Sequence, residues 1–444
     1  MKKQFLTTCI ALFSSLLLLS QDLIQSGPML GYSTMKEALL WVQTTESAKV
    51  HFEYYEKGNS KQRFKTEVLQ TSSKNGFVAK LVADQIQPGR IYNYEVFVNG
   101  KRIKRDYPME FQSQTLWQWR TDPPEVNFAI GSCNYVNEPG LDRPGKPYGT
   151  NHQIFESINQ KNPDFMVWLG DNTYLRVADW NSRTGIIHRH THSRSLKEVQ
   201  PLLASTHHYA IWDDHDFGPN DSDGSFAMKK TTSEIFKLFW GNPNYDVING
   251  GGITGSFDWA DLQFFLLDNR YYRTSNRNKT DKRQILGKEQ IDWLINALAS
   301  SRAPFKFVCI GGQVINSEAI FENYATFPEE RNYLLERIRE ARIEGVIFLD
   351  GDRHHTALSK MQESSRVYPL YDLTCSALTS GVNKDKEKYN AYRMPETIVG
   401  EHNFGMLNVS GPRNNRVLKM TIYNADGKEL WSKEIKASDL RYKS

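Results

Sequence analysis

The chain has 444 residues, with 55 Lys and Arg against 51 Asp and Glu and a formal net charge of +4. Charged residues make up 24% and aromatics 12%, which excludes a disordered chain and suits roughly two or three domains with sizeable cores. So small a net charge makes no demand for nucleic acid or an anionic membrane surface, and no sequence-specific nucleic acid partner is expected.

Lys2 and Lys3 precede an apolar run from Phe5 to Leu19. A basic start before an apolar run too short for a comfortable membrane span reads as a targeting segment. Residues 1–20 are expected to form a signal peptide cut near Ser20 or Gln21, although no A-x-A site marks the point. Cys9 sits too early in the run for lipid attachment, and an uncleaved anchor is the alternative. The protein is therefore expected to be exported, periplasmic or secreted, without a transmembrane anchor. Removing the leader leaves Cys133, Cys309 and Cys375, an odd count that cannot pair completely in an oxidising compartment.

Residues 28–115 read as all-β. Strand-like runs at 39–44, 49–56, 64–71, 77–83 and 92–103 are punctuated by Gly58-Asn59, Asn75-Gly76, Pro88-Gly89 and Asn99-Gly100. That spacing predicts a small sandwich of immunoglobulin or fibronectin type. Trp117 to Pro124 looks like a connector. From residue 125 to about 435, strands at 126–130, 165–169, 208–212, 262–267, 305–310 and 346–349 alternate with helices at 153–161, 196–205, 226–240, 288–298 and 329–341, which predicts a layered α/β domain.

The central run, Phe165 to Leu169, is apolar throughout and reads as a strand buried on both faces. Gly170 and Asp171 end it, placing a carboxylate at the carboxyl end of a strand, where open α/β sheets hold ligands. Other strands end similarly, in Cys133, Asp214, Gln313 and Asp352, with Asn172, Tyr174, His215, His354 and His355 beside them. Clustered carboxylates repel one another, and a bound cation relieves that. Oxygen, nitrogen, thiolate and phenolate donors together point to two or more metals of differing hardness. Such pairs serve hydrolysis: one ion acidifies a water, and the pair stabilises the attacking and leaving oxygens of an in-line phosphoryl displacement. His215, between Asp214 and Asp216, suits a general acid for the leaving alkoxide, with a surface histidine as the plain alternative. Arg270, at another strand end, suits a grip on a phosphate oxygen, or equally a structural ion pair. Cys309 and Cys375 lie within apolar strands and read as core. His188, His190 and His192 alternate, which suits a metal site but is read as an exposed polar edge, since no carboxylate partner is nearby.

Taken in order, Gly131-Ser132-Cys133, Gly170-Asp171-Asn172-Thr173-Tyr174, Trp212-Asp213-Asp214-His215-Asp216, Asp268-Asn269-Arg270 and Gly351-Asp352-Arg353-His354 resemble the motifs of the PhoD-like alkaline phosphatases, within the calcineurin-like metallophosphatase group. The resemblance spans most of residues 125–405 and also takes in the all-β segment. It implies a β-sandwich flanked by helices, and an exported phosphomonoesterase or phosphodiesterase using Fe3+ and Ca2+, with other divalent metals open. It implies that Cys133, Asp171, Tyr174 and His354 hold ferric iron, and that Asp171, Asp214 and Asp352 hold calcium, with Gln313 a weaker candidate. His215 falls at the group's catalytic histidine. Asp214 replaces the Asn usual before it, and Asp352 stands within Gly351-Asp352-Arg353-His354 where the wider group has Gly-His-x-His. Both changes supply hard oxygen, which favours calcium over zinc. Asn172, Asn220, Gln313 and His355 are weaker expectations for substrate contact, and His402 for a return to the site. The expected substrate is a phosphate-ester small molecule or one derived from a lipid or nucleotide. A phospholipase-like diesterase and a non-catalytic calcium-dependent surface binding protein are the alternatives.

Overall fold

The computed structural model describes residues 23–279, 283–383 and 389–443, so the expected leader lies outside the described residues. Two large sheets face each other. The first runs in the order Glu429–Lys436, Val417–Asn424, Asn403–Ser410, Val126–Gly131, Phe165–Leu169, His207–Ile211, Ile24–Ser33, Ala38–Thr44, Val78–Ala83. The second runs Gly255–Trp259, Leu262–Leu266, Lys306–Cys309, Val346–Asp350, Leu370–Thr374, Ala357–Met361. Aromatic side chains fill the space between them. Phe128 and Phe165 stack at 5.0 Å, and Phe128 meets Phe264 at 5.2 Å and Phe307 at 5.3 Å across the layers. Helices cover both outer faces. Ile154–Gln160, Gln200–Ser205 and Lys229–Phe239 bury apolar side chains with the first sheet, while Lys288–Ser300 and Pro328–Glu340 pack with Phe265, Val308 and Phe348 of the second.

The strand register explains why chemistry collects at one edge. Phe165–Leu169 is buried at all five positions and lies parallel to its two neighbours, with Trp168 level with Gly131 and Leu169 with Ile211. Leu266, Cys309 and Leu349 are level in the second sheet. Each strand therefore delivers the residues that follow it to one rim. Glycine permits the two rims to touch. A Cβ on Gly351 would come within 2.4 Å of Ser132 Oγ and 2.9 Å of the Leu169 carbonyl, and Gly170 turns with φ 94° against Asp213.

The N-terminal strands do form two facing layers, with Val50, Phe52, Tyr54 and Tyr94 packed on Leu30, Leu40 and Leu81. One layer is not separate. Ile24–Ser33 pairs parallel with His207–Ile211, so the N-terminal sheet runs on into the central one. Sequence reading missed Ile24–Ser33 because Gly27, Pro28 and Gly31 break its apolar pattern, and the pairing with Ala38–Thr44 is irregular there. The run at 64–71 is two short strands, Phe64–Lys65 and Leu69–Gln70. The expectation for the three alternating histidines is corrected. They lie on the helix Arg183–Arg194, where an alternating pattern cannot stay on one face. His188 and His192 stack at 6.3 Å on one side, His188 Nε2 lies 3.0 Å from Glu138, and His190 is buried on the other side.

Candidate metal centre at the strand ends

Four of the expected ligands share an uncommon backbone. Cys133 (φ 60°), Asp171 (φ 52°), Asp352 (φ 65°) and His354 (φ 57°) all occupy the left-handed region. Side-chain-bearing residues rarely rest there, at a cost of order 1–3 kcal/mol each, and such strain collects at functional sites. Hydrogen bonds hold the turns. Cys133 N donates to Gly170 O at 3.2 Å and Asn134 N to Asp171 O at 2.8 Å. His354 N donates to Ser376 Oγ at 3.0 Å. Asp216 accepts from Asn172 N at 3.2 Å, Thr173 N at 2.9 Å and Asp213 N at 3.1 Å, tying the Asp171 loop to the short helix Asp214–Phe217.

Three groups of donors form among the described residues, each with ligand atoms within 4.8 Å of one another: Cys133, Asp171 and His354; Asp171, Asp214 and His215; Asp214, Asp221 and Glu322. Asp171 belongs to two of them. Cys133 Sγ lies 3.7 Å from Asp171 Oδ2, and Tyr174 OH donates to the same oxygen at 3.1 Å. Tyr174 OH is also 3.3 Å from His354 Nε2. His354 Nδ1 faces the Gly381 carbonyl and lies 3.1 Å from Tyr148 OH, an arrangement that puts the proton on Nδ1 and leaves the Nε2 lone pair for the cluster. His215 donates its backbone N–H to Asp171 Oδ1 at 3.3 Å, and its ring packs on Tyr174 at 4.2 Å.

As bare groups these residues conflict. Burial, then Asp214 and Cys133, pushes Asp171 well above the usual carboxylate range. Burial pushes the Cys133 thiol up to about 12, with Asp352 adding to it. Asp352 is raised to about 7, again by burial first. Burial acts upward on Asp214 as well, but His215 and Arg270 hold it below its usual value. A buried thiol, phenol, imidazole and carboxylates aimed at one point are satisfied together by a cation, which reverses these shifts. The donor set therefore fits a metal.

The remaining expected residues are distributed as follows. Asp352 belongs to none of the three donor groups; its carboxylate lies 3.5 Å from Arg353 Nη1. Arg270 is buried, with Nε 2.5 Å from Asp213 and Nη2 2.5 Å from Glu322. Asn172 Nδ2 donates to Ile211 O at 2.7 Å, and Gln313 bonds Thr374 and Asn316. His355 Nδ1 lies 3.1 Å from Arg353 O. Asn220 is exposed in the turn after the short helix. His402 Nε2 lies 2.8 Å from Ser380 O, in the segment that surrounds His354. Sequence reading missed Tyr148, Asp221, Arg273 and Glu322, and set Asp216 beside the His215 ring, whereas its carboxylate accepts backbone N–H groups. Arg273 follows a recognised motif closely; Tyr148, Asp221 and Glu322 lie in loops without periodicity. Cys133, Cys309 and Cys375 are all buried and free.

Comparison with known proteins bears on the fold. The fold is metallophosphatase-like. A solved structure of PhoD superposes with a TM-score of 0.75 at 15% identity, covering 93% of this chain and 92% of that one. Purple acid phosphatase PPD1 from yellow lupin seeds superposes with a TM-score of 0.68 at 13% identity, covering 94% of this chain and 76% of that one. Within that fold the chain resembles the PhoD-like phosphatases, as its motifs imply. Residues 242–414 match the PhoD-like phosphatase family, and residues 21–116 match a domain of unknown function, DUF7800. Alkaline phosphatase D of Bacillus subtilis (strain 168) is 22% identical over 358 residues, 68% of this chain. The chain spans 58% of the length of that curated relative. No helix among the described residues is long and apolar enough to cross a membrane.

Proposed function

We propose that this protein is an exported, metal-dependent phosphoric ester hydrolase acting on phosphate monoesters, diesters or both. The observation that carries the reading is Asp171, a buried carboxylate common to a thiol–imidazole group and a carboxylate–imidazole group. In this reading Cys133, Asp171, Tyr174 and His354 hold ferric iron, and Asp171, Asp214 and Asp352 hold calcium. When bound, the cations supply Lewis acidity to water and to the phosphoryl oxygens. The chain's own residues do the rest. His215, its ring packed on Tyr174 and its backbone tied to Asp171, donates a proton to the leaving alkoxide. Asp216 keeps His215 and the Asp171 loop in one piece. The likeness to alkaline phosphatase D and to the purple acid phosphatase fold supports a phosphoester substrate.

The test is hydrolysis of p-nitrophenyl phosphate and bis-p-nitrophenyl phosphate by the purified full chain, with calcium present and iron loaded. Turnover of at least one is expected, and His215→Ala loses about 10²–10⁴-fold of it, the usual worth of general acid catalysis. Failure on both substrates overturns the reading.

A further inference from the structure

Behind the donor groups, two arginines converge on one carboxylate. Arg270 is buried and already paired, its Nε on Asp213 Oδ1 at 2.5 Å. Its Nη2 reaches Glu322 Oε1 at 2.5 Å. Arg273, equally buried, lies 3.5 Å from Glu322 Oε2 and donates to the Glu322 carbonyl at 2.9 Å, while its Nε has no hydrogen-bond partner among the described residues. Beneath Glu322 is a cavity of about 10 Å³, room for about one water, lined by Asn269, Arg270, Arg273, Glu322 and Asp352. Asp352 connects this cavity to the expected calcium ligands. Two guanidinium groups on one carboxylate, beside a small cavity, match a phosphate group in the place of that carboxylate, since a phosphate accepts from both at once.

Glu322 does not sit there at rest. Phe321 (φ 45°) and Glu322 (φ 55°) are consecutive side-chain-bearing residues in the left-handed region. Phe321 is half exposed, with the Arg353 guanidinium 4.2 Å from its ring centre. The arginines have other work: Arg270 keeps Asp213 and the Ser222 carbonyl, and Arg273 keeps Asn276. The neighbouring anions are Asp213, Asp214, Asp221 and Asp352, so an incoming phosphate and the Glu322 carboxylate cannot share the two cations.

We propose that Arg270 and Arg273 form a phosphate-binding subsite of the centre, and that Glu322 is an internal anion that occupies it until a phosphoester displaces the 321–322 turn. The proposal rests on the phosphoesterase reading for its substrate, but the subsite itself is measurable without turnover. Inorganic phosphate is titrated calorimetrically into the metal-loaded full chain, alongside KM for bis-p-nitrophenyl phosphate. Glu322→Gln, which keeps the shape and removes the charge, is expected to tighten phosphate binding and lower KM by about tenfold, while Arg273→Gln weakens both by about tenfold, the scale of one charge-assisted hydrogen bond. Glu322→Ala, checked for an intact melting transition, is expected to follow Glu322→Gln. Unchanged or weaker phosphate binding in both Glu322 variants overturns the proposal, as does unchanged binding in Arg273→Gln. Absence of hydrolysis by the wild type, with these binding shifts present, counts against the phosphoesterase reading and leaves the subsite standing.

Discussion

At the scale of single residues, the site divides into what strand ends advertise and what loops conceal. Cys133, Asp171, Asp214 and His354 were legible because each follows an apolar run and a turn, and parallel strands bring such ends together. Asp221 and Glu322 were not, since nothing local marks a loop residue that becomes a neighbour only through tertiary packing. The buried histidines away from the site carry a separate consequence. Trp168 Nε1 donates to His208 Nδ1 at 3.0 Å and His208 Nε2 faces Leu202 O at 3.2 Å, so the ring is neutral. Burial pushes His208 down to about 3, and His190 likewise, Arg194 adding to both. Their folded values lie below the unfolded value of about 6.5, so the unfolded chain binds more protons. Stability therefore falls as pH drops below 6.5, by about 2 kcal/mol per histidine by pH 5. Urea midpoints across that range check this. His208→Gln flattens the slope by about one proton; an unaltered slope shows that His208 is not responsible.

At the scale of elements, the turn after Phe165–Leu169 depends on the short helix Asp214–Phe217, which cannot stand alone at four residues. Asp216 is the connection, accepting three backbone N–H groups with two oxygens. An amide in its place offers one acceptor oxygen. Asp216→Asn is expected to cost about 1.5–3 kcal/mol, the range for hydrogen bonds to a charged group, and to weaken metal binding though it touches no metal. Denaturation and metal titration of one sample test both. Long apolar strands and amphipathic helices were legible because burial imposes their period. The helix Arg183–Arg194 was not: Gly185 and alternating polar residues hide its period, and it is held by the Ser182 cap on Gly185 N at 3.0 Å and by Arg189 ion pairs to Asp179 and Glu138.

At the scale of the whole molecule, the continuous nine-stranded sheet joins what the composition divides. Turn spacing marked residues 28–115 as all-β; it could not show that Ile24–Ser33 pairs with His207–Ile211, a partner far along the chain. Tyr94 OH donates to Ala204 O at 2.8 Å across the same junction. The N-terminal layers and the layered α/β part are therefore expected to unfold together. Calorimetry of the full chain should give one transition, and two separated transitions would show independent domains. Phe165 is the centre of the sheet-to-sheet contact, within 5.7 Å of Phe128, Tyr209, Phe257, Trp259 and Phe264. Phe165→Ala is expected to lower stability by about 3–5 kcal/mol in chemical denaturation, through lost burial and the cavity left behind.

The most direct test of the account is the metal content of the purified protein beside that of Asp171→Ala, determined by elemental analysis together with phosphoester hydrolysis. If Asp171 is the shared ligand, the wild type carries at least two metal ions per chain, and the variant loses metal and activity together. A variant that retains the full metal content and full turnover contradicts the account, because the centre then lies elsewhere.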